Sequence, residues 1–203
     1  MTTLCRSRIP QVVIDVPDGV SGDWSVESFV VDEEGARRHN FYESLHRGRM
    51  IVTGTYKKLC HQGALVMSNT PAEIEDLFPF FDQAQGRVLI NGLGLGVALK
   101  FCLGLKYANG NPRVKLVTVI ERSPDVIKLV GPTYSADPRL TIIEADALTW
   151  TPPRGVKYDC VWHDIWPTIP NSDDFPSICA LRKKYLRRCT WQGVWCDPQE
   201  EDY

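Results

Sequence analysis

The chain of 203 residues is long enough for one sizeable hydrophobic core, since domains of about 100 to 200 residues are the usual unit. With 43% hydrophobic and 24% charged residues it lies outside disordered and fibrous compositions, and a formal net charge of −2 argues against a protein that coats nucleic acid electrostatically. No apolar run approaches the roughly 20 residues that a bilayer crossing needs, and Met1 to Ile9 has no continuous apolar stretch of the secretory kind, so no membrane role is expected and the cytoplasm is the expected compartment.

From Gln11 to Met67, short β-rich runs alternate with turns. Val12 to Val16, Ser25 to Val31, Met50 to Tyr56 and Ala64 to Met67 read as strands of hairpins. Between them, Ala36 to Arg47 is polar and fits either a short helix or an ordered loop. Thr70-Pro71-Ala72-Glu73 has the pattern of a capping box with proline in the first turn, which predicts a helix from Pro71 to about Gln83. Residues 1–69 are thus expected as an N-terminal β-hairpin region and residues 70–203 as a second unit.

That second unit begins with a short apolar strand, Arg87 to Asn91, a glycine cluster, and an apolar helix from about Leu95 to Tyr107 that must be covered on most sides. A strand at Lys115 to Ile120 lacks polar alternation, as expected when both faces are buried. Ser123-Pro124 opens a helix ending near Gly131-Pro132. Strands follow at Leu140 to Ile143 and Tyr158 to His163, then a helix at about Asp174 to Arg188 and a strand at Thr190 to Cys196. Strand and helix alternate throughout, which predicts an α/β fold with a Rossmann-like parallel sheet and flanking helices.

Asn91-Gly92-Leu93-Gly94-Leu95-Gly96 ends the first of these strands in a turn where three glycines let a ligand approach the backbone. In such a sheet a cofactor is expected at the strand's carboxyl end. Glu121, followed by Arg122, directly ends the next strand, where a carboxylate can accept both hydroxyl hydrogens of a ribose. Up to this point the pattern does not separate S-adenosylmethionine from a nicotinamide dinucleotide.

Glu144-Ala145-Asp146-Ala147 follows the third strand, and Tyr158-Asp159-Cys160-Val161-Trp162-His163-Asp164 forms the fourth. With the glycine turn and Glu121, these four markers over about residues 87 to 167 resemble, in order, the spermidine synthase-like branch of the class I S-adenosylmethionine-dependent methyltransferases. The resemblance implies S-adenosylmethionine as cofactor. It implies that Gly92, Gly94 and Gly96, with Asn91 and Leu93, cradle the methionine portion, that Glu121 and Arg122 lie at the ribose, and that Asp146 and the Ala147 amide read adenine. Asp164 is implied as the carboxylate beside the sulfonium, holding or deprotonating the incoming nucleophile. His163 should point to the opposite strand face and serve packing. Trp166 is either an aromatic wall or a buried anchor.

Departures from that branch favour methyl transfer over polyamine synthesis, with a non-catalytic subunit that binds S-adenosylmethionine as the remaining alternative. Asp164-Ile165-Trp166-Pro167 lacks the second acid of Asp-x-x-Asp-Pro, Leu95 stands where an aspartate is usual, and Met67 to Glu75 lacks the Tyr-His-Glu element. The fold is expected to be C-terminally shortened, because little follows the fifth strand, and a homo-oligomer is expected to cover the open sheet edge. The acceptor is expected to be a small molecule or otherwise unidentified, with nucleic acid disfavoured by the net charge and no membrane. Arg182, Lys183, Lys184, Arg187 and Arg188 read as a solvated basic helix face offset by Asp197, Glu200, Glu201 and Asp202.

Seven cysteines (Cys5, Cys60, Cys102, Cys160, Cys179, Cys189, Cys196) are odd in number and widely spaced, with no Cys-x-x-Cys pair, and read as reduced, packed thiols. His39, His46, His61 and His163 show no metal-ligand spacing, so no metal is expected.

Overall fold

Continuous apolar runs become the centre of a parallel sheet. In the computed structural model, residues 13–45 and 49–198 are described. Cys5, Val12, His46, Arg47, Glu200, Glu201 and Asp202, all named above, lie outside the described residues. Strands β5 (Gly86–Asn91), β6 (Val114–Glu121), β7 (Leu140–Glu144), β8 (Tyr158–His163) and β9 (Cys189–Val194) pair in parallel, in the order β7-β6-β5-β8-β9. The chain reverses direction across the sheet between β5 and β8, so the carboxyl ends of β5, β6 and β8 border a crevice at that switch point.

Both faces of this sheet are covered. Val88, Ile90, Val117, Val119 and Trp162 face α3 (Phe78–Gln83), α4 (Val97–Gly104) and α5 (Pro124–Tyr134), in a cluster with Phe80, Phe81, Leu99, Val126 and Val130. Leu89, Ile120 and Val161 face α6 (Phe175–Tyr185) through Ile178, Leu181 and Tyr185. Period-2 side chains buried on both sides explain why these strands read as unbroken apolar runs.

A second, antiparallel sheet of β1 (Gly19–Ser21), β2 (Trp24–Val31), β3 (Gly54–His61) and β4 (Ala64–Ser68) pairs in chain order. It leans on α5, which touches β1 and β2 on one side and β6 and β7 on the other. Ser21 Oγ donates to Asp125 Oδ1 at 2.7 Å, fastening β1 to the first turn of α5. Ile14, Val16, Val26 and Leu59 share one cluster of buried side chains with Val88, Leu95, Val126 and Val130.

The polar stretch of uncertain form is a helix, α1 (Glu33–Ser44), capped where the Asp32 side chain accepts from Gly35 N. Other elements differ from the sequence expectation. Residues 13–16 form no strand: Ile14 and Val16 are buried and Val13 and Asp15 exposed, so the alternation records burial without a ladder partner. The strand expected at Met50 starts only at Gly54, because the Asn40 amide captures Ile51, donating to its carbonyl at 2.8 Å and accepting from its N–H at 2.7 Å.

The helix expected from Pro71 to Gln83 is two short ones, α2 (Pro71–Glu75) and α3. Pro79 has no N–H to return to Glu75, so the ladder breaks at Asp76 and Leu77. The Thr70 side chain makes no cap bond; Glu73 instead accepts from Ser68 N and Ser68 Oγ at 2.8 and 2.6 Å. α4 starts two residues later than expected, leaving Leu95 in the turn, and ends at Gly104, while α5 runs past Pro132 to Tyr134. The last helix is a 3-10 turn over Ser172–Asp174 followed by α6. No helix among the described residues is long and apolar enough to cross a membrane.

Candidate functional site

The crevice at the switch point holds a cavity of about 120 Å³. Its floor is the carboxyl ends of the parallel strands: Gly92 and Gly94 after β5, Glu121 and Arg122 at the end of β6, Ala145 to Leu148 after β7, and Asp164 to Pro167 after β8. Its opposite wall comes from elsewhere: Trp24, Leu59, Val66, Met67 and Ser68 of the antiparallel sheet, Glu73 and Leu77 around α2, and Trp195 after β9.

Glu121 is held in place by backbone. Its Oε2 accepts from Leu93 N at 2.9 Å and its Oε1 from Ser123 N at 2.8 Å, so the glycine turn, the end of β6 and the start of α5 share one carboxylate. Each oxygen keeps a further lone-pair direction, because an ionised carboxylate offers about four acceptor sites. Beside Glu121, after the neighbouring strand β7, Asp146 forms a tight turn, with Oδ1 accepting from Leu148 N at 2.7 Å and its carbonyl accepting from Trp150 N at 2.7 Å. Ala147 is buried beside it and Asp146 is exposed.

Asp164 follows β8, and its N–H donates to Asn91 O at 2.8 Å. Desolvation raises its carboxyl to about 7, with Glu73, Asp76 and Glu121 adding like charge and the Trp162 indole opposing the shift. Among the described residues the buried Trp162 Nε1 makes no other hydrogen bond, which leaves it for the Asp164 carboxyl. Burial likewise raises the Glu73 carboxyl, against its two bonds from Ser68 and the Arg49 guanidinium. Arg49 is paired with Asp76 at 2.8 Å, and Trp195 Nε1 donates to Asp76 Oδ2 at 3.3 Å. The acid-lined end of the cavity is therefore only partly neutralised.

Gly92, Gly94, Glu121, Arg122, Asp146, Ala147 and Asp164 thus meet around one cavity. Asn91, Leu93 and Gly96 stand behind it. The Asn91 side chain turns to the other face of the sheet, its Nδ2 2.8 Å from His163 Nδ1. Leu93 contributes its amide to Glu121, and Gly96 caps α4 with the Tyr134 ring packed against it.

The glycines have reasons of their own: a Cβ on Gly92 would meet the Asp164 carbonyl oxygen, and one on Gly94 would meet Met67 Sδ. Both sit at positive φ, where a side chain is strained. Close approach to the backbone is real here, but at Gly92 and Gly94 the approaching atoms belong to the protein.

His163 packs as expected. Its Nδ1 meets the Asn91 amide and its Nε2 the Gln192 Oε1 at 3.2 Å, while Gln192 Nε2 donates to Arg182 O, an arrangement that assigns the ring proton to Nε2. Desolvation lowers its pKa to about 4, keeping it neutral. Trp166 satisfies both readings offered for it: it lines the cavity and is anchored by its Nε1 bond to Ser177 Oγ at 3.0 Å.

The basic helix face is not simply solvated. Lys184 Nζ donates to the carbonyls of Ala147, Leu148 and Trp150 at 2.7, 2.6 and 2.9 Å, tying α6 to the turn after β7. Arg182 pairs with the buried Asp197. Trp24, Met67, Glu73, Lys184 and Trp195 were absent from the sequence-based site. Glu73 carried a signal, its place in the Thr-Pro-Ala-Glu motif, but that pointed to a cap. No group of three or more His, Cys, Asp or Glu residues placed to hold a metal ion occurs among the described residues.

No family model matches the chain, and no curated protein matches it. Among solved structures it is similar to the 23S rRNA methyltransferase ErmE, with 20% identity over 55% of this chain and 39% of that one and a TM-score of 0.42. It is also similar to a DhpI–SAM–HEP complex, with 22% identity over 61% and 50% and a TM-score of 0.43. A putative RNA methyltransferase from Pyrococcus horikoshii matches with 15% identity over 64% and 60% and a TM-score of 0.45. The chain spans 39% to 60% of the length of these three structures.

Proposed function

We propose that this chain is an S-adenosylmethionine-dependent methyltransferase acting on an unidentified acceptor, with residues 70–203 carrying the cofactor site and residues 1–69 supplying one wall of the acceptor space. The observation that carries the reading is Glu121, fixed by Leu93 N and Ser123 N at the end of β6, beside the Asp146 turn on the floor of the switch-point cavity. A braced carboxylate with free lone pairs suits a pair of ribose hydroxyls, and the Asp146 carboxylate with the Ala147 amide suits the acceptor and donor edge of adenine. The donor set therefore fits an adenosine, while the narrow part of the cavity over Gly94 is filled by Met67.

S-adenosylmethionine would supply a methyl group already activated on a sulfonium. Glu121 and Asp146 then bind and orient. Gly92 brings the Asp164 backbone against the glycine turn, which sets the carboxylate at the carboxyl end of β8. There Asp164, half-ionised near neutral pH, can hold an acceptor's proton-bearing atom and take the proton as transfer proceeds. Trp166 and Trp195 give the cavity an apolar wall, and because the sulfonium is already an activated donor, alignment and desolvation would supply much of the rate. A homo-oligomer is part of this proposal, since among the described residues no strand pairs with the outer edge of β9.

Calorimetric titration of the protein with S-adenosylmethionine, its decarboxylated form, S-adenosylhomocysteine and NAD tests the reading. S-adenosylmethionine and S-adenosylhomocysteine are expected to bind, NAD not to bind, and Glu121→Ala to weaken both ligands at least tenfold, or about 1.4 kcal/mol. Preference for NAD would overturn it, and preference for the decarboxylated form would redirect it to aminopropyl transfer.

A further inference from the structure

Across the glycine turn lies a side chain from the other sheet. Met67, on β4, accepts from Leu95 N through its Sδ at 3.0 Å. The same sulfur stands where a Cβ on Gly94 would have to go. Met67 also lines the cavity that Glu121 and Asp146 border. The thioether therefore sits on an amide of the turn that, under the reading above, receives the methionine end of the cofactor.

The backbone beneath Met67 is pinned by strong bonds, and its side chain is held only by the weak N–H···S bond and by packing against the core. Leu59 pairs with Met67 beside an irregularity in the β3–β4 ladder, and the next residue, Ser68, is tied to Glu73 through both its N–H and its hydroxyl. Methionine has three rotatable side-chain bonds and adapts its shape readily. Its sulfur is a weak acceptor, whereas a carboxylate on the same N–H makes a charge-assisted bond roughly twice as strong as a neutral one. A ligand carboxylate can therefore exchange for the thioether at small cost, while a leucine or valine here would leave the Leu95 N–H without a partner.

We propose that Met67 is the resident occupant of a carboxylate subsite at Leu95 N, held there until a ligand's carboxylate replaces it, and that this competition lowers the crevice's affinity for carboxylate-bearing adenosine ligands alone. The inference rests on the S-adenosylmethionine reading. A ligand with an α-carboxylate trades a weak N–H···S bond for a strong one. A ligand without it leaves Met67 in place and gains nothing at this end.

The test is calorimetric titration of the wild-type chain, Met67→Ala and Met67→Leu with S-adenosylhomocysteine, which keeps the carboxylate, and with 5′-methylthioadenosine, which lacks it. Removing the occupant should tighten S-adenosylhomocysteine about fivefold in M67A, as expected when a fraction of the protein no longer needs to open, and change 5′-methylthioadenosine less than twofold. M67L, which keeps the core volume and should fold even if M67A does not, should show part of the same ligand-selective gain. Equal gains for both ligands mean only that space was opened, and a weaker S-adenosylhomocysteine complex means that Met67 is a wall; either overturns the proposal. Wild-type binding of both ligands that neither variant alters defeats the inference and leaves the cofactor reading standing. If no form binds either ligand, both fall, whereas S-adenosylhomocysteine binding gained only on mutation supports the occupant role.

Discussion

Asp164 shows how one residue's position decides both chemistry and a stability cost. Its carboxyl is desolvated at the end of β8 and faces Glu73, Asp76 and Glu121, which together raise it from 3.8 to about 7. The unfolded chain loses this proton near pH 4 and the folded chain near pH 7, so between those values the folded state holds more protons. Folding stability must fall as pH rises through that window. Asp164→Asn removes this titration while keeping the shape. In urea denaturation, the stability of wild type relative to the variant should therefore drop between pH 4.5 and pH 8, with the variant the more stable at pH 8. A constant difference across that range would show that Asp164 titrates normally.

At the scale of elements, the turn after β7 depends on α6. An ammonium has three donors, and Lys184 gives all three to the carbonyls of Ala147, Leu148 and Trp150. Burial lowers its pKa, with Asp146 opposing the shift. Losing those bonds in Lys184→Met should cost about 1 to 3 kcal/mol, because the carbonyls lose a charged partner. Amide exchange over residues 146–151 should quicken and adenosine-ligand affinity should fall about tenfold, while exchange in β5 and β6 stays unchanged. Uniform acceleration across the sheet would mean that Lys184 supports global stability and not this turn.

This bond set also marks what a linear reading can reach. Strands β5 to β9 were legible to within about two residues: the central ones, β5 and β8 above all, are short apolar runs because they are buried on both faces, and the edge strands β7 and β9 were placed by the alternation of strand and helix. Glu121 was named from its place at a strand's carboxyl end, and Asp146 and Asp164 from the family resemblance; the structure brings the three to one cavity, and their roles there belong to the proposed function. Lys184 was read as solvated because its partners lie more than thirty residues away. The strand expected at Val12 to Val16 failed because alternation reports burial, which Ile14 and Val16 achieve without a ladder, and the long helix failed at Pro79, where one missing N–H ends the first segment. Met67, Trp24 and Trp195 were invisible as site residues, since only the packing of the second sheet and the tail of β9 brings them to the cavity.

For the whole molecule, the two sheets are distinct in hydrogen bonding and joined in their core. Val26 and Leu59 from the antiparallel sheet belong to the same buried cluster as Val88 and Val119 from the parallel one, with Val126 and Val130 of α5 between them. Apolar burial is non-directional, so a core shared in this way makes each sheet's exposure costly to the other. The cavity inherits that dependence, because one wall comes from each sheet. The chain should then unfold in one step, with tryptophan fluorescence and far-ultraviolet circular dichroism giving coincident urea midpoints. Leu59→Ala, which leaves a cavity at the fully buried contact between the sheets, should lower stability by about 2 to 5 kcal/mol and move both midpoints together. Were the antiparallel sheet an independent unit, the same substitution would split the transition, with one midpoint shifted and the parallel sheet's left where it was.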